Sequence, residues 1–341
     1  MVILAGAIMG LVWFLSRLLA DPRNPWQVLD RPNARSLHAR PVPRMGGLAI
    51  LIGVLTGSAF LPWHFSWRLD VVWAALALVA SVSWYDDIHG ASPRVRLFVH
   101  GAAALSVAWA YLQWPHMLLP HWALPVPGPV AVVVMAVFLA WWTNLYNFMD
   151  GMDGLAGGMA VVGFATLALL GWRAHDLPYA EISLIVASAA GGFTISNFPP
   201  ARLFMGDMGA ATLGFAAGIM ILAGAQRGDF PVWAGLIIFS PFLVDATVTL
   251  IRRLARGENP TTAHRGHYYQ RLVRSGLGHR RVVLGEYGLM AACAACAYAA
   301  VGRPTSTQWD ILAFLVVLYG ILVILVGRWE GHGTDKGKVS L

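Results

Sequence analysis

"YNFMDGMDGLAGG", residues 146–158, decides how this chain is read. It stands between two apolar runs, 129–146 and 155–172, each about as long as a helix that crosses a lipid bilayer. It places Asn147, Asp150, Asp153 and four glycines between them, and a hydrocarbon interior rejects the charged ones. A polar turn at a membrane edge reconciles the two. Asn144, Asn147 and Asp150 are spaced by three, so they drift along one helical face. Gly151 is expected to end that helix with a positive φ, and Asp153 to cap the next.

The same alternation of apolar run and polar break extends along all 341 residues, of which 57% are hydrophobic and 12% charged, with a mean hydropathy of +0.61. That composition excludes a soluble globular domain. Apolar segments fall at 2–20, 45–62, 70–85, 95–114, 129–146, 155–172, 180–197, 208–225, 231–251, 281–301 and 309–327. Unsatisfied backbone groups are costly in hydrocarbon, so each segment is read as a helix. The expectation is an all-α, polytopic membrane protein of about eleven transmembrane helices. It forms one domain over residues 1–330, with 331–341 as a disordered tail.

The first run has no basic residue before it and is followed by Arg17 and Arg23, the pattern of an anchor whose N-terminus is outside. Counting from there, 20 of the 24 lysines and arginines fall on cytoplasmic segments and four (Arg68, Arg173, Arg227 and Arg303) outside. The net charge of +7 is mostly this bias and does not argue for nucleic acid. Cys293 and Cys296 form a CxxC among alanines inside an apolar run, where close helix packing accounts for them better than redox or metal chemistry.

Five aspartates gather in three short stretches: Asp86 and Asp87 in "SWYDDIHG", Asp150 and Asp153 in the opening stretch, and Asp207 in "NFPPARLFMGDMG". In this orientation all three face the cytoplasm, so the active site is expected on that face. Adjacent carboxylates such as Asp86 and Asp87 repel, and one takes up a proton unless a cation offsets them. Short aspartates at helix ends suit Mg²⁺, which takes one or two carboxylates and leaves its other positions to water and substrate phosphate. Basic segments on the same face supply the complement: "HARPVPRMGG" with Arg40 and Arg44, and "AHRGHYYQRL" with His264, Arg265 and His267. Asp245 lies well inside an apolar run, with Thr249 and Arg252 on its face. It reads either as an orienting partner at the inner mouth or as a structural pair with Arg252.

These motifs, in this order on successive cytoplasmic segments, resemble the polyprenyl-phosphate N-acetylhexosamine-1-phosphate transferase family over residues 30–280. The resemblance implies transfer of a sugar 1-phosphate from a UDP-N-acetylamino sugar to undecaprenyl phosphate, with UMP released. It implies Mg²⁺, or alternatively Mn²⁺, held by Asp207. Phe204 would stack on uracil, and Asn147 and Asn197 would bind beside the nucleoside. Arg40, Arg44 and Arg265 would contact substrate, and Asp86, Asp87, Asp150, Asp153, His264 and His267 would be catalytic. It also implies a bacterial inner-membrane location among membrane lipids, with a homodimer as one assembly, and a role in O-antigen or other envelope polysaccharide synthesis. The peptidoglycan branch carries three consecutive histidines where this chain has "HRGHYYQRL", which favours the O-antigen-initiating type over phospho-N-acetylmuramoyl-pentapeptide transferase. A transporter with a cytoplasmic-face anion site is the rival from another class. A CDP-alcohol phosphatidyltransferase is another, but the arginine of its DGxxAR element is missing after Asp153 and Gly154.

The charge bias makes the orientation testable. A cysteine placed at position 153 or 267 is expected to resist an impermeant thiol reagent added to intact cells, whereas one near Trp114–Pro127 reacts. Labelling at 153 or 267 from outside would reverse the topology.

Overall fold

The computed structural model describes residues 1–32, 40–61, 67–114, 119–122, 124–259 and 265–336. Helices dominate: α1 (Val2–Ala20), α2 (Gly46–Ser58), α3 (Trp67–His89), α4 (Pro93–Ala110), α5 (Gly128–Met149), α6 (Leu155–Arg173), α7 (Leu177–Asn197), α8 (Gly206–Arg227), α9 (Val232–Ile238), α10 (Ser240–Ala255), α11 (Tyr268–Leu272), α12 (His279–Ala300) and α13 (Thr305–Lys336). Two-residue strands β1 (Leu29–Asp30) and β2 (Val42–Pro43) pair antiparallel ahead of α2.

Among the described residues, eight helices are long and apolar enough to cross a membrane: α1, α3, α5, α6, α7, α8, α12 and α13. The other three expected spans differ. Of the segment 45–62, the described residues are helical from Gly46 to Ser58. Thirteen residues rise about 20 Å, short of a hydrocarbon core of about 30 Å. Arg94, Arg96 and His100 make α4 less apolar than a lipid-crossing helix. The segment 231–251 is not one helix: α9 and α10 meet at 83°. Pro241 in the first turn of α10 cannot donate a backbone hydrogen bond, and Phe239 between the helices leaves helical geometry. Ser240 Oγ donates to the freed Ile237 carbonyl at 2.7 Å and lies 2.6 Å from the Tyr319 hydroxyl. Side chains thus satisfy backbone that hydrocarbon cannot. Cys293 packs into this cluster, 3.4 Å from both Ser240 Oγ and Tyr319 Oη, so its role is structural. At the C-terminus, α13 continues through residues 331–336, which composition assigned to the tail; 337–341 lie outside the described residues.

α8 is the central helix, buried along nearly its whole length and packed on α3, α5 and α2. Its neighbours can approach because of glycines. A Cβ on Gly47 would stand 2.4 Å from the Gly209 nitrogen, and one on Gly209 2.7 Å from Gly47 Cα, so α2 and α8 touch backbone to backbone.

The helix ends that carry the sequence motifs lie at one end of the bundle. At the other end, Arg173 donates to the carbonyls of Tyr298 and Val301, and Arg227 pairs with Asp176 at 3.2 Å. The Arg173 donors are thereby satisfied by carbonyls, and the Arg227 charge is offset by an acid.

Gly47→Val is expected to push α2 from α8 and lower stability by about 1–3 kcal/mol, read as a fall in melting temperature in detergent. Gly285→Ala meets nothing within 4 Å and serves as the neutral control.

Candidate active site

The site starts from α3 and α8. Gly90, at φ +75°, ends α3, and the Ala91 nitrogen closes the turn by donating to Asp86 Oδ1 at 2.5 Å. Asp87, one residue on, points the other way. Its two oxygens accept the backbone N–H groups of Asp207 (3.1 Å) and Met208 (3.0 Å). It caps α8 from another helix, with an anion at the positive end of the α8 dipole. Gly206 is demanded here twice over: its φ is +77°, and a Cβ would sit 2.9 Å from Asp87 Oδ2. Arg44 completes this corner, donating to the Asp87 carbonyl, with its Nη1 3.8 Å from Asp87 Oδ1.

The adjacent carboxylates therefore face different cations, which offset their mutual repulsion. Arg96, in the first turn of α4, sends one nitrogen to Asp86 Oδ2 at 2.5 Å and to Asp207 Oδ2 at 2.8 Å. Side-chain exposure separates the three acids: 1% for Asp87, 12% for Asp86 and 33% for Asp207. Asp87 is a structural cap. Asp207 is the acid a ligand from solvent reaches.

The segment before α2 is held to the segment before α8 by backbone. Phe204 N donates to the Pro43 carbonyl (2.7 Å), Gly46 N to the Phe204 carbonyl (2.9 Å) and Gly47 N to the Met205 carbonyl (2.8 Å). Phe204 is half-buried beside Arg44, whereas Arg40 is exposed in the approach to β2.

The opening stretch differs locally from its expected form. Gly151 does not take a positive φ; Gly154 does, at +78°. Gly151 is required for room instead, since a Cβ there would lie 2.2 Å from the Tyr269 hydroxyl. Nor does Asp153 cap α6. Its Oδ2 accepts from Ala201 N at 3.0 Å and lies 3.6 Å from His279 Nδ1. Asn197 is taken up in the same structural joint: Gly154 N donates to its Oδ1, and its Nδ2 donates to the Leu203 carbonyl, each at 2.8 Å. It is 3% exposed, which removes it from direct solvent access. Asn147 and Asp150 are half-buried on the last turn of α5 and just beyond it. Burial, then the charges of Asp207, Asp87 and Asp153, push the Asp150 carboxyl well above the usual carboxylate range.

Asp245 organises the histidine loop. It accepts from the Tyr268 nitrogen (3.0 Å), the Tyr269 nitrogen (3.2 Å) and Thr249 Oγ1 (3.1 Å), and lies 3.1 Å from His267 Nδ1. Arg252 turns instead to the Tyr268 hydroxyl, 3.0 Å away. Of the two readings of Asp245, the geometry selects the orienting partner over a pair with Arg252. Tyr269 then reaches the opening stretch, donating to the Phe148 carbonyl at 3.3 Å. Arg265 is half-buried at the start of the described part of this loop, and His264 lies outside the described residues.

Sequence pattern alone does not single out Arg96, Tyr269 or His279. A signal for Arg96 exists nonetheless. Arg94 and Arg96 sit in the first turn of a helix, where positive charge opposes the dipole, so an acidic partner is needed. Glu286, two turns into α12, is a second acid inside an apolar run.

An all-helical, polytopic membrane protein with an arginine-bridged acidic cluster at one end is the class that fold and site define. Residues 69–225 match the family model described as glycosyl transferase family 4. A probable undecaprenyl-phosphate N-acetylglucosaminyl 1-phosphate transferase of Bacillus subtilis (strain 168) is 29% identical over 315 residues, covering 91% of this chain and 86% of that protein. An undecaprenyl-phosphate alpha-N-acetylglucosaminyl 1-phosphate transferase of Yersinia pestis is 31% identical over 270 residues, covering 74% and 72%. A decaprenyl-phosphate N-acetylglucosaminephosphotransferase of Mycobacterium leprae (strain TN) is 27% identical, covering 81% and 78%. The chain belongs to this family, that of the polyprenyl-phosphate N-acetylhexosamine-1-phosphate transferases its motifs resemble.

Asp245→Asn replaces one of two accepting oxygens with a donor in a buried cluster. It is expected to lower turnover and to cost about 1–3 kcal/mol, whereas Arg252→Gln costs less on both counts. Melting curves and turnover of the two variants, measured side by side, check the ranking.

Proposed function

We propose that this protein transfers an N-acetylamino-sugar 1-phosphate from a UDP-sugar to undecaprenyl phosphate, releasing UMP, at the cytoplasmic end of a bacterial inner-membrane bundle whose N-terminus is outside. The observation that carries the reading is the convergence of Asp86 and Asp207 on one cationic group at the membrane edge. Family membership and the relatives' names support it, and those names favour N-acetylglucosamine among N-acetylamino sugars. The route served is cell-envelope polysaccharide initiation, with O-antigen as one such polymer. A lipid co-substrate is supported by an apolar cavity of about 510 Å³ between α2, α3 and α8, which begins at Gly47 and Gly209 beside the acidic cluster.

Asp207, with Asp86 beside it, would hold Mg²⁺. Among the described residues no three acids, histidines or cysteines converge as a full metal cage. The ion would therefore rest on two carboxylates, a donor number that Mg²⁺ takes when water and substrate phosphate fill its other positions. The ion would neutralise charge on the diphosphate. Arg44 and Arg265 add positive charge around it, and His267, held by Asp245, presents its ring from a fixed loop. Phe204, half-buried beside Arg44, would offer its ring for uracil to stack on. Asn197 and Asp87 act by holding the walls.

Direct in-line attack by the lipid phosphate is favoured over an aspartyl intermediate. A phosphate monoester has a second pKa near 6, so it is largely dianionic at neutral pH and needs little activation. An aspartate nucleophile such as Asp150 would meet a dianionic diphosphate with like charge, and burial and the charges of Asp207, Asp87 and Asp153 already disfavour its ionised form.

The test is UMP release from UDP-N-acetylglucosamine by purified protein. It is expected to require both undecaprenyl phosphate and Asp207, with Asp207→Asn folded but inactive. With every trace of polyprenyl phosphate removed, labelled UMP stays out of UDP-sugar. Sustained exchange there would replace direct attack by a covalent route, and no UMP release under any condition would overturn the reaction itself.

A further inference from the structure

Arg96 is the one arginine whose guanidinium bridges two of the site's aspartates, among the described residues. The geometry is specific. A single nitrogen, Nη1, contacts Oδ2 of Asp86 at 2.5 Å and Oδ2 of Asp207 at 2.8 Å, joining residues 121 positions apart in the chain. A divalent cation bridging those two oxygens at about 2.0–2.1 Å, as Mg²⁺ does, would need the space this nitrogen fills. Arginine and metal therefore exclude one another at this point.

The surroundings call for a cation there, or else for a proton on one of the acids. Asp86, Asp87 and Asp207 lie within one corner, and the N–H groups that neutralise Asp87 come from the helix Asp207 begins. Without a counter-charge, Asp86 and Asp207 would push α3 and α8 apart at the contact that Asp87 closes. The bridge is also releasable. Arg96 is 30% exposed and Asp207 33%, so water screens that arm as in a partly exposed ion pair, while the Asp86 arm, with Asp86 at 12%, is the more buried hold. The rest of α4 is anchored by packing on α3 and α5, so the side chain can leave while the helix stays.

We propose that Arg96 is a built-in counter-cation that holds Asp86 and Asp207 together when no metal is bound, and that a divalent cation enters by displacing its guanidinium. The site thus keeps its shape between turnovers, and the released guanidinium stands next to the metal, where an anionic phosphate is the group it would meet. Arg96 is a positioning residue for the two acids. The inference rests on the assignment of a divalent cation to Asp207 made above.

The experiment is Mn²⁺ binding to purified, metal-free protein in detergent, followed by the electron paramagnetic resonance signal of free Mn²⁺. Wild type, Arg96→Gln, Arg96→Lys and Asp207→Asn are compared, with melting curves of each with and without Mn²⁺. Removing the competitor is expected to tighten Mn²⁺ binding about tenfold or more in Arg96→Gln. Arg96→Lys, which keeps the charge but loses the planar fork, falls between it and wild type. Metal-free Arg96→Gln should melt below wild type and gain more from Mn²⁺ than wild type does. If Arg96→Gln does not survive purification, the Arg96→Lys affinity alone decides. Equal or weaker binding in the Arg96 variants, with binding lost in Asp207→Asn, overturns the exchange and leaves the metal assignment standing. Binding that survives in Asp207→Asn, or is absent from every protein, overturns the metal assignment and the exchange with it.

Discussion

Everything at this end of the molecule hangs on one carboxylate, that of Asp87, which closes the N-terminus of α8 from the end of α3. The first N–H groups of any helix lack partners within it, and in a membrane bundle water is a poor remedy. A cap of this sort is worth about 0.5–2 kcal/mol at an ordinary helix end. Here its removal would also strand buried donors, at about 1–3 kcal/mol each. The same contact sets where Asp207 begins and which way it faces. It also fixes why residue 206 is glycine, since both its φ and its closeness to Asp87 forbid a side chain.

From that joint the aspartates divide their work. Asp87 and Asp153 accept backbone N–H groups from neighbouring segments. Asp245 does the same for α11, and through Tyr269 ties the histidine loop to the turn that ends α5. Asp86, which also accepts from Ala91 N, and Asp207 meet an arginine, and Asp207 is the more exposed of the two. A chain with few charges thus uses most of its clustered acids to hold loops in place, and pairs two with an arginine. Preorganisation of this kind suits phosphoryl transfer, in which catalysis is chiefly positioning and charge neutralisation.

The broken span follows from the same rule about backbone in hydrocarbon. Phe239 and Pro241 interrupt the helix, and Ser240 and Tyr319 supply the partners that lipid withholds. Without the 83° bend, α10 would continue α9 and carry Asp245 away from His267. The polar cluster at the break is therefore what allows the histidine loop to reach the site.

Sequence by itself determined the all-helical membrane architecture, because apolar runs of bilayer length have no other stable form. It also determined the five motifs and their shared end of the bundle, because charge bias and chain order leave little freedom there. Span 231–251 looked continuous because Pro241 within an apolar run marks a break only when neighbours such as Tyr319 can satisfy the loosened backbone. Gly151 looked like a helix terminator because a glycine needed for the approach of Tyr269 and one needed for positive φ are the same letter. The internal partners of Asn197 and Asp153 were not visible, because hydrogen-bonding capacity is written in sequence while the group that meets it is not. Only the tertiary structure decided that Arg96, ten residues beyond Asp86, turns back to face both Asp86 and Asp207. Such a contact depends on where α3, α4 and α8 are packed, and packing is set by many weak apolar contacts at once rather than by any motif.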